Sequence, residues 1–400
     1  MTEIKDPLGS TLRIFLSVDI VGSTAFKQSQ ARIKKQASTQ DGDDPKPEEP
    51  WFSPIVDFYR EIERLLAREW HSCVEAVESA HRWPCGEAPE LWKSAGDELI
   101  YTKILTDHRQ ALCCIHAWMS AIKQYRKRLR DAFPHLDVKS AAWIAGFPVQ
   151  NTEVIFRSKV LNNDPLVSDD DLLYVNLKLL HDYYSSKNPN GLTRDFIGPA
   201  IDTGFRLAAL ATPRKLILSV DLVYLLVGTN RPVGFKYRKL AFHYDGRVPL
   251  KGVIGGAPYP VFWTDMMPDD PLEASEDGLR GAKPRSTEAI KEFCENFLTE
   301  YSAHICVPYI VGNPDSFFSS VPPHHAERLE KLREYLKNQG HNRRIEGSTP
   351  IRDPGGENIS AAKKKSFVST LLPEVSGEES LRRSGEKRSG RPGKNQYTRK

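Results

Sequence analysis

Two aspartates stand where the neighbouring residues call for burial. In "RIFLSVDIVGSTAFK", Arg13 to Lys27, Asp19 follows an apolar run and precedes a Gly-Ser-Thr turn. In "LWKSAGDELIYTKIL", Asp97 follows Gly96 at a tight turn between two β-rich stretches. An ionised carboxylate among apolar side chains is costly unless it is paired or bound to a cation. A lone Asp19 could equally cap the turn that follows it, so the second carboxylate carries the argument. Presented from adjacent strands, the two would suit a pair of divalent ions about 4 Å apart, and oxygen donors select Mg²⁺ or Mn²⁺. Paired ions of that kind do phosphoryl chemistry.

The elements around these aspartates read as alternating strands and helices. "LRIFLSV" is a short strand buried on both faces. From Gln28 to Pro50 the chain is polar and proline-bearing, and residues 28–50 are expected to form a mobile loop. From Trp51, residues Ile55, Phe58, Tyr59, Ile62, Leu65 and Leu66 recur at helical spacing. Two strands then flank the Ser94–Ala95–Gly96 turn, and Asp107 stands as the N-cap of a long helix ending before Pro134. "DVKSAAWIAGFPV" is the next strand, and "GPAIDTGFRLAALA" reads as a helix with Ile201, Phe205 and Ala208 facing inward. "RKLILSVDLVYLLV" follows as strand then short helix, and "FKYRKLAFHYDGRVPLKGV" and "YPVFWTDM" add strands. The order predicts an α+β domain over residues 1–265, a mixed sheet flanked by helices. Residues 266–340 carry two amphipathic helices and are expected to form a small helical appendix, with a disordered basic tail at 341–400.

Composition bounds the function classes. The 400 residues are 40% hydrophobic and 10% aromatic, enough to bury a large core. The formal charge of +4 conceals a basic end, since Ala361 to Lys400 holds 11 Lys and Arg against four Asp and Glu. That tail raises a reading of a different class, a non-catalytic nucleic-acid-binding protein, against the blander one of a solvated extension. The six cysteines have no CxxC spacing and no signal pattern precedes them, which points to a reduced, cytoplasmic setting. No apolar run reaches the roughly 18–20 residues a bilayer span needs, so no membrane partner is expected. The histidines His108, His116, His324 and His325 lack ligand spacing and read as surface or core residues.

Three segments in order, "SVDIVGST", "LWKSAGDELIY" and "DFIGPAIDTGFRL", resemble the signature segments of class III nucleotide cyclases, covering about Leu12 to Asp265. The resemblance implies a class III cyclase-like fold. It makes Asp19 and Asp97 the metal-binding aspartates, with the Ile20 carbonyl completing one site of a two-ion Mn²⁺ or Mg²⁺ centre. The turn Val21, Gly22, Ser23, Thr24 would then offer backbone N–H groups to a triphosphate. Arg206 matches the family's transition-state arginine, while Asp202 stands where the family usually has the ribose-orienting Asn. Lys93 and Asp195 stand at the base-reading positions, as the pair associated with adenine. Lys251 in "PLKGV" matches a phosphate-contacting lysine. The family splits these residues between the facing halves of two subunits, so the resemblance implies a homodimer with two shared sites.

The style of the motifs is most similar to the pyrimidine cyclases of the bacterial Pycsar anti-phage systems, which make cyclic UMP or cyclic CMP as a signal for a separate effector protein. That resemblance implies UTP converted to 3′,5′-cyclic UMP and pyrophosphate, with a small base gripped by bulky side chains such as Trp92 or Trp143. The Lys93/Asp195 pair points the other way, towards ATP, and cytidylate and adenylate cyclases stay open as alternatives. On either reading nucleic acid is not expected as a partner.

Overall fold

Strand β1, Thr11–Val21, decides the layering. Its residues Leu12, Ile14, Leu16, Val18 and Ile20 are buried on one face, and Arg13, Phe15, Ser17 and Asp19 alternate onto the other. The computed structural model describes residues 8–36, 49, 51–81, 83–157, 171–185, 191–229 and 239–348. Within them β1 joins β2 (Glu90–Ala95), β3 (Glu98–Leu105), β4 (Asp137–Phe147), β7 (Lys215–Leu218), β8 (His243–Pro249) and β9 (Pro258–Asp265) in a seven-stranded sheet of order β2-β3-β1-β4-β7-β9-β8. The β4–β7 pair is parallel and the others antiparallel, so the sheet is mixed as expected. Strands β5 (Thr152–Arg157) and β6 (Leu192–Ile197) form a separate two-stranded arm.

Helices cover both faces. Under the first face lie α2 (Phe52–His81) and α3 (Arg109–Ala132), which bury Ile55, Phe58, Ile62, Leu65 and Trp118 in one large apolar cluster with β1. A buried relay, Trp118 Nε1 to Ser140 Oγ at 2.7 Å and Ser140 Oγ to the Ser17 carbonyl at 2.6 Å, ties α3 to the centre of the sheet. The second face carries a smaller cluster of Phe15, Ile100, Trp143, Ala145, Phe147, Phe196 and Ile201, roofed by α5 (Pro199–Ala208) and the arm. Each of these aromatic side chains buries on the order of 150–250 Å².

Several expectations are corrected. The loop expected from Gln28 starts inside helix α1 (Ser23–Gln36), whose residues from Ser23 to Gln36 contain no proline or glycine to stop them; residues 37–48 and 50 lie outside the described residues. Helix α3 begins at Arg109 rather than directly after Asp107, although the Asp107 carboxylate does accept the Arg109 N–H at 2.9 Å. Helix α5 faces inward with Ile201, Gly204 and Leu207, whereas Phe205 is 38% exposed and Ala208 half-buried. The cause is a close approach: a Cβ at Gly204 would stand 2.2 Å from the Trp143 indole, so only glycine lets the helix lie there. 

Nor is the segment after Asp265 a separate appendix. The chain divides into the units Met1–Glu334 and Tyr335–Lys400, and α8 (Thr287–Glu300) places Ile290, Cys294, Phe297 and Leu298 in the same buried cluster as Tyr259 and Phe262 of β9. One helix, α7 (Pro271–Arg280), had no counterpart in the sequence pattern because it buries none of its residues. Its capping Asp270 and the Arg214 contacts to Glu273 and Asp277 hold it instead. The last helix, α9 (Pro323–Ser348), runs past residue 341, where the tail was expected to start, and residues 349–400 lie outside the described residues. Helices α4 (Leu172–Ser185) and α6 (Val220–Thr229) complete the order.

Candidate active site

The strand pairing brings the acidic residues together at one end of the sheet. Asp19 lies opposite Glu98 of β3 on one side and opposite Lys139 of β4 on the other. Asp97 occupies the β2–β3 turn beside them, and its carbonyl accepts the Ile20 N–H at 3.2 Å. Burial raises the Asp19 carboxyl above its ordinary range; Lys139 opposes that shift and the charge of Asp97 adds to it. Glu98 is raised as well, first by burial and then by the charge of Asp19. Lysines already attend the two aspartates, with Lys139 Nζ 3.1 Å from Asp19 Oδ2 and Lys27 Nζ 3.6 Å from Asp97 Oδ1. The Ser23 hydroxyl donates to Asp97 Oδ2. Half-exposed pairs of this kind stabilise the fold by about 1 kcal/mol at most, so a doubly charged ion could displace the ammoniums.

The turn before α1 is built for close backbone approach. Gly22 has φ of 88°, and a Cβ there would meet the His135 carbonyl at 2.9 Å. Ser23 opens α1 directly after it, so the Val21–Thr24 segment presents a helix start next to Asp19. Ser23 itself is 3% exposed, its side chain turned to Asp97.

Lys93 and Asp195 meet across the sheet and the arm. Lys93 Nζ donates to both Asp195 carboxylate oxygens, at 2.9 and 3.0 Å. The arm is held there by Arg13, whose guanidinium donates to the Tyr184 hydroxyl at 3.0 Å and lies 3.6 Å from Glu153 and 3.7 Å from Glu90. Arg194 adds a 2.8 Å bond to Glu90. Trp92 packs beside the pair, 5.2 Å from Phe196 and 6.3 Å from Phe205 between ring centroids. Trp143, expected to narrow a base pocket, is 1% exposed and lies under Gly204 with its ring stacked on Phe15, so it supports α5 rather than facing a ligand.

Arg206, Asp202 and Lys251 converge elsewhere. They line a cavity of 490 Å³ together with Ser219, Asp221 and the segment from Ala303 to Tyr309. Burial pushes the Asp221 carboxyl up to about 6. The two groups of residues open on different sides of α5, because Phe205, Ala208 and Ala209 line the cleft of Asp19 and Lys139 while Asp202 and Arg206 line the larger cavity. Within one chain the aspartates and Arg206 therefore do not share a cavity.

Among the described residues no group of three or more His, Cys, Asp or Glu converges as a ready metal cage. The donor set nevertheless fits hard divalent ions, since two carboxylates stand side by side, each accompanied by a cationic group. Lys139, Lys27, Glu98 and the Ser23 hydroxyl were missed in the sequence. Lys139 becomes visible only once β4 is paired with β1 in the observed register.

No family model matches the chain, and no curated protein matches it. Among solved structures, the adenylyl cyclase CyaB from P. aeruginosa is 10% identical, covers 64% of this chain and 94% of its own, and has a TM-score of 0.39. The guanylate cyclase domain of RhGC from Catenaria anguillulae in complex with GTP is 10% identical, with 64% and 97% covered and a TM-score of 0.37. An adenylate/guanylate cyclase/hydrolase from Silicibacter pomeroyi is 13% identical, with 66% and 99% covered and a TM-score of 0.33.

Proposed function

We propose that this chain is a nucleotide cyclase that converts UTP to 3′,5′-cyclic UMP and pyrophosphate, working as a homodimer whose product signals to a separate effector in bacterial anti-phage defence. The observation that carries the cyclase reading is the pair Asp19 and Asp97, side by side at the mouth of a glycine turn and matched by an exposed arginine on another face of the same domain. Asp19, Asp97 and the Ile20 carbonyl are the groups to hold two Mn²⁺ or Mg²⁺ ions, which when bound supply charge neutralisation at the α-phosphate and acidify the ribose 3′-hydroxyl.

The chain's own groups do the rest. The Val21–Thr24 turn offers N–H donors to the triphosphate. Lys139 and Lys27, freed from the aspartates, are in reach of phosphate oxygens at the same cleft. Arg206 and Lys251 from the second subunit meet the charge that grows on the departing pyrophosphate, where a fixed guanidinium acts most strongly. Asp202 keeps the place of the family's Asn as a hydrogen-bond acceptor for ribose.

Substrate choice rests on shape. Trp92, Phe196 and Phe205 crowd the Lys93–Asp195 pair, and a site packed for a pyrimidine rejects a purine by overlap. A second reading, adenylate cyclase, is favoured by that same pair, which is intact and bidentate. Purified protein given all four ribonucleoside triphosphates at equal concentration with Mn²⁺ decides between them by product mass. Cyclic UMP is expected to dominate. Dominant cyclic AMP would replace the first reading with the second, and release of pyrophosphate from none of the four would remove the cyclase reading.

A further inference from the structure

The hairpin turn that carries Asp97 lies at the margin of the sheet. Strand β2 is an edge strand that, among the described residues, pairs with β3 alone, so the turn has a neighbouring described strand on one side. Gly96 adopts φ of 68°, and a Cβ on it would meet no atom within 4 Å, so packing on this residue does not fix the turn. Hydrogen bonds do that work. Two come from the β1–α1 segment: Ile20 N–H to the Asp97 carbonyl, and the Ser23 hydroxyl to the Asp97 carboxylate. The third comes from a different element, where the Tyr59 hydroxyl of α2 donates to the Gly96 carbonyl.

Helix α2 is a firm base for such a donor. Phe58 and Ile62, next to Tyr59 and one turn on, are both 0% exposed, and Phe58 lies 5.5 Å from the Tyr125 ring of α3. Tyr59 itself is half-buried, on the wall of a hollow shared with Leu91, Ser94, Leu99 and Tyr101. Its hydroxyl thus connects a helix anchored in the core of the first layer to the peptide just before Asp97. On the cyclase reading above, which this inference deepens, we infer that Tyr59 is a positioning residue: by holding the Gly96 carbonyl it keeps the Asp97 carboxylate next to Asp19, and so sets the affinity of the site for a divalent cation.

The test is Tyr59→Phe, which keeps the ring and removes only the donor. Mn²⁺ binding to the nucleotide-free protein is read from the electron paramagnetic resonance signal of free Mn²⁺, and the Mn²⁺ concentration giving half-maximal turnover is read separately. A net hydrogen bond of ordinary strength corresponds to a weakening of about fivefold, expected in both readings, with kcat restored at saturating Mn²⁺ and the melting temperature close to that of the parent. Unchanged Mn²⁺ affinity overturns the inference, as does a kcat loss that saturating Mn²⁺ leaves in place. If the parent protein binds no Mn²⁺ the inference also falls. If Tyr59→Phe weakens Mn²⁺ binding but the parent forms no cyclic nucleotide, the positioning role stands and the cyclase reading fails.

Discussion

The cleft of Asp19 and the cavity of Arg206 are opposite in charge logic. In the cleft every aspartate is already answered within the chain, Asp19 by Lys139 and Asp97 by Lys27 and Ser23. In the cavity, Arg206 and Lys251 are exposed and have no ion pair among the described residues. The first region holds its charges in reserve and the second displays them. A triphosphate carrying divalent ions would satisfy both, yet α5 lies between them in one chain. In the proposed homodimer, two copies facing each other would remove that obstacle, with the exposed apolar residues Leu91, Ile197 and Phe205 available to bury between them.

The comparison breaks most visibly if the cleft is not the seat of chemistry. Asp19→Asn or Asp97→Asn should lower turnover by about 10³-fold or more, the scale on which a lost charge-stabilising contact acts, while dimer and melting curve persist. Normal turnover in either variant would end the metal reading. Mixing Asp97→Ala with Arg206→Ala sharpens the division between regions: random exchange of subunits should restore about a quarter of the parent rate, because half of the dimers own one intact site. A mixture proven to exchange but still inactive would exclude sites shared between subunits.

A smaller effect tests the reserve itself. Lys139 favours the ionised form of Asp19, so Lys139→Met removes a group that lowers that carboxyl and the Asp19 pKa rises further. Ion binding needs the ionised carboxylate. The acid limb of the pH–rate profile should therefore move to higher pH, and a limb that stays in place would show that Asp19 does not govern it. The smallest effect concerns the helix between the regions. Gly204→Ala forces a methyl against the Trp143 indole, where 2.2 Å is available, and should destabilise the fold by about 1–3 kcal/mol by thermal or urea unfolding.

Much of this was legible from periodicity. The unbroken apolar run of β1, the 3.6-residue spacing of α2 and the glycine turns at Gly22 and Gly96 mark the positions of both aspartates in the sequence itself. What escaped was everything set by pairing between distant segments. The Asp19–Lys139 contact joins residues on β1 and β4 that no local pattern links. In α5 the sequence pattern points to Phe205 as core, whereas the contact that decides the phase of the helix is a bare glycine on Trp143. Helix α7 left no apolar stripe to find, since charge and capping hold it in place.

One face of β1 carries Arg13, Phe15, Ser17 and Asp19 in sequence. Arg13 anchors the arm that bears Asp195, Phe15 stacks on the Trp143 that seats α5 and its Arg206, and Asp19 is the first of the acids. From Arg13 to Asp19 the strand extends about 20 Å. The Asp195 arm, the Arg206 helix and the acidic cleft are thus all gauged from a single datum line, so one strand sets the spacings between them. A slip of β1 by one residue would not spoil one subsite; it would turn all three anchors to the opposite face at once.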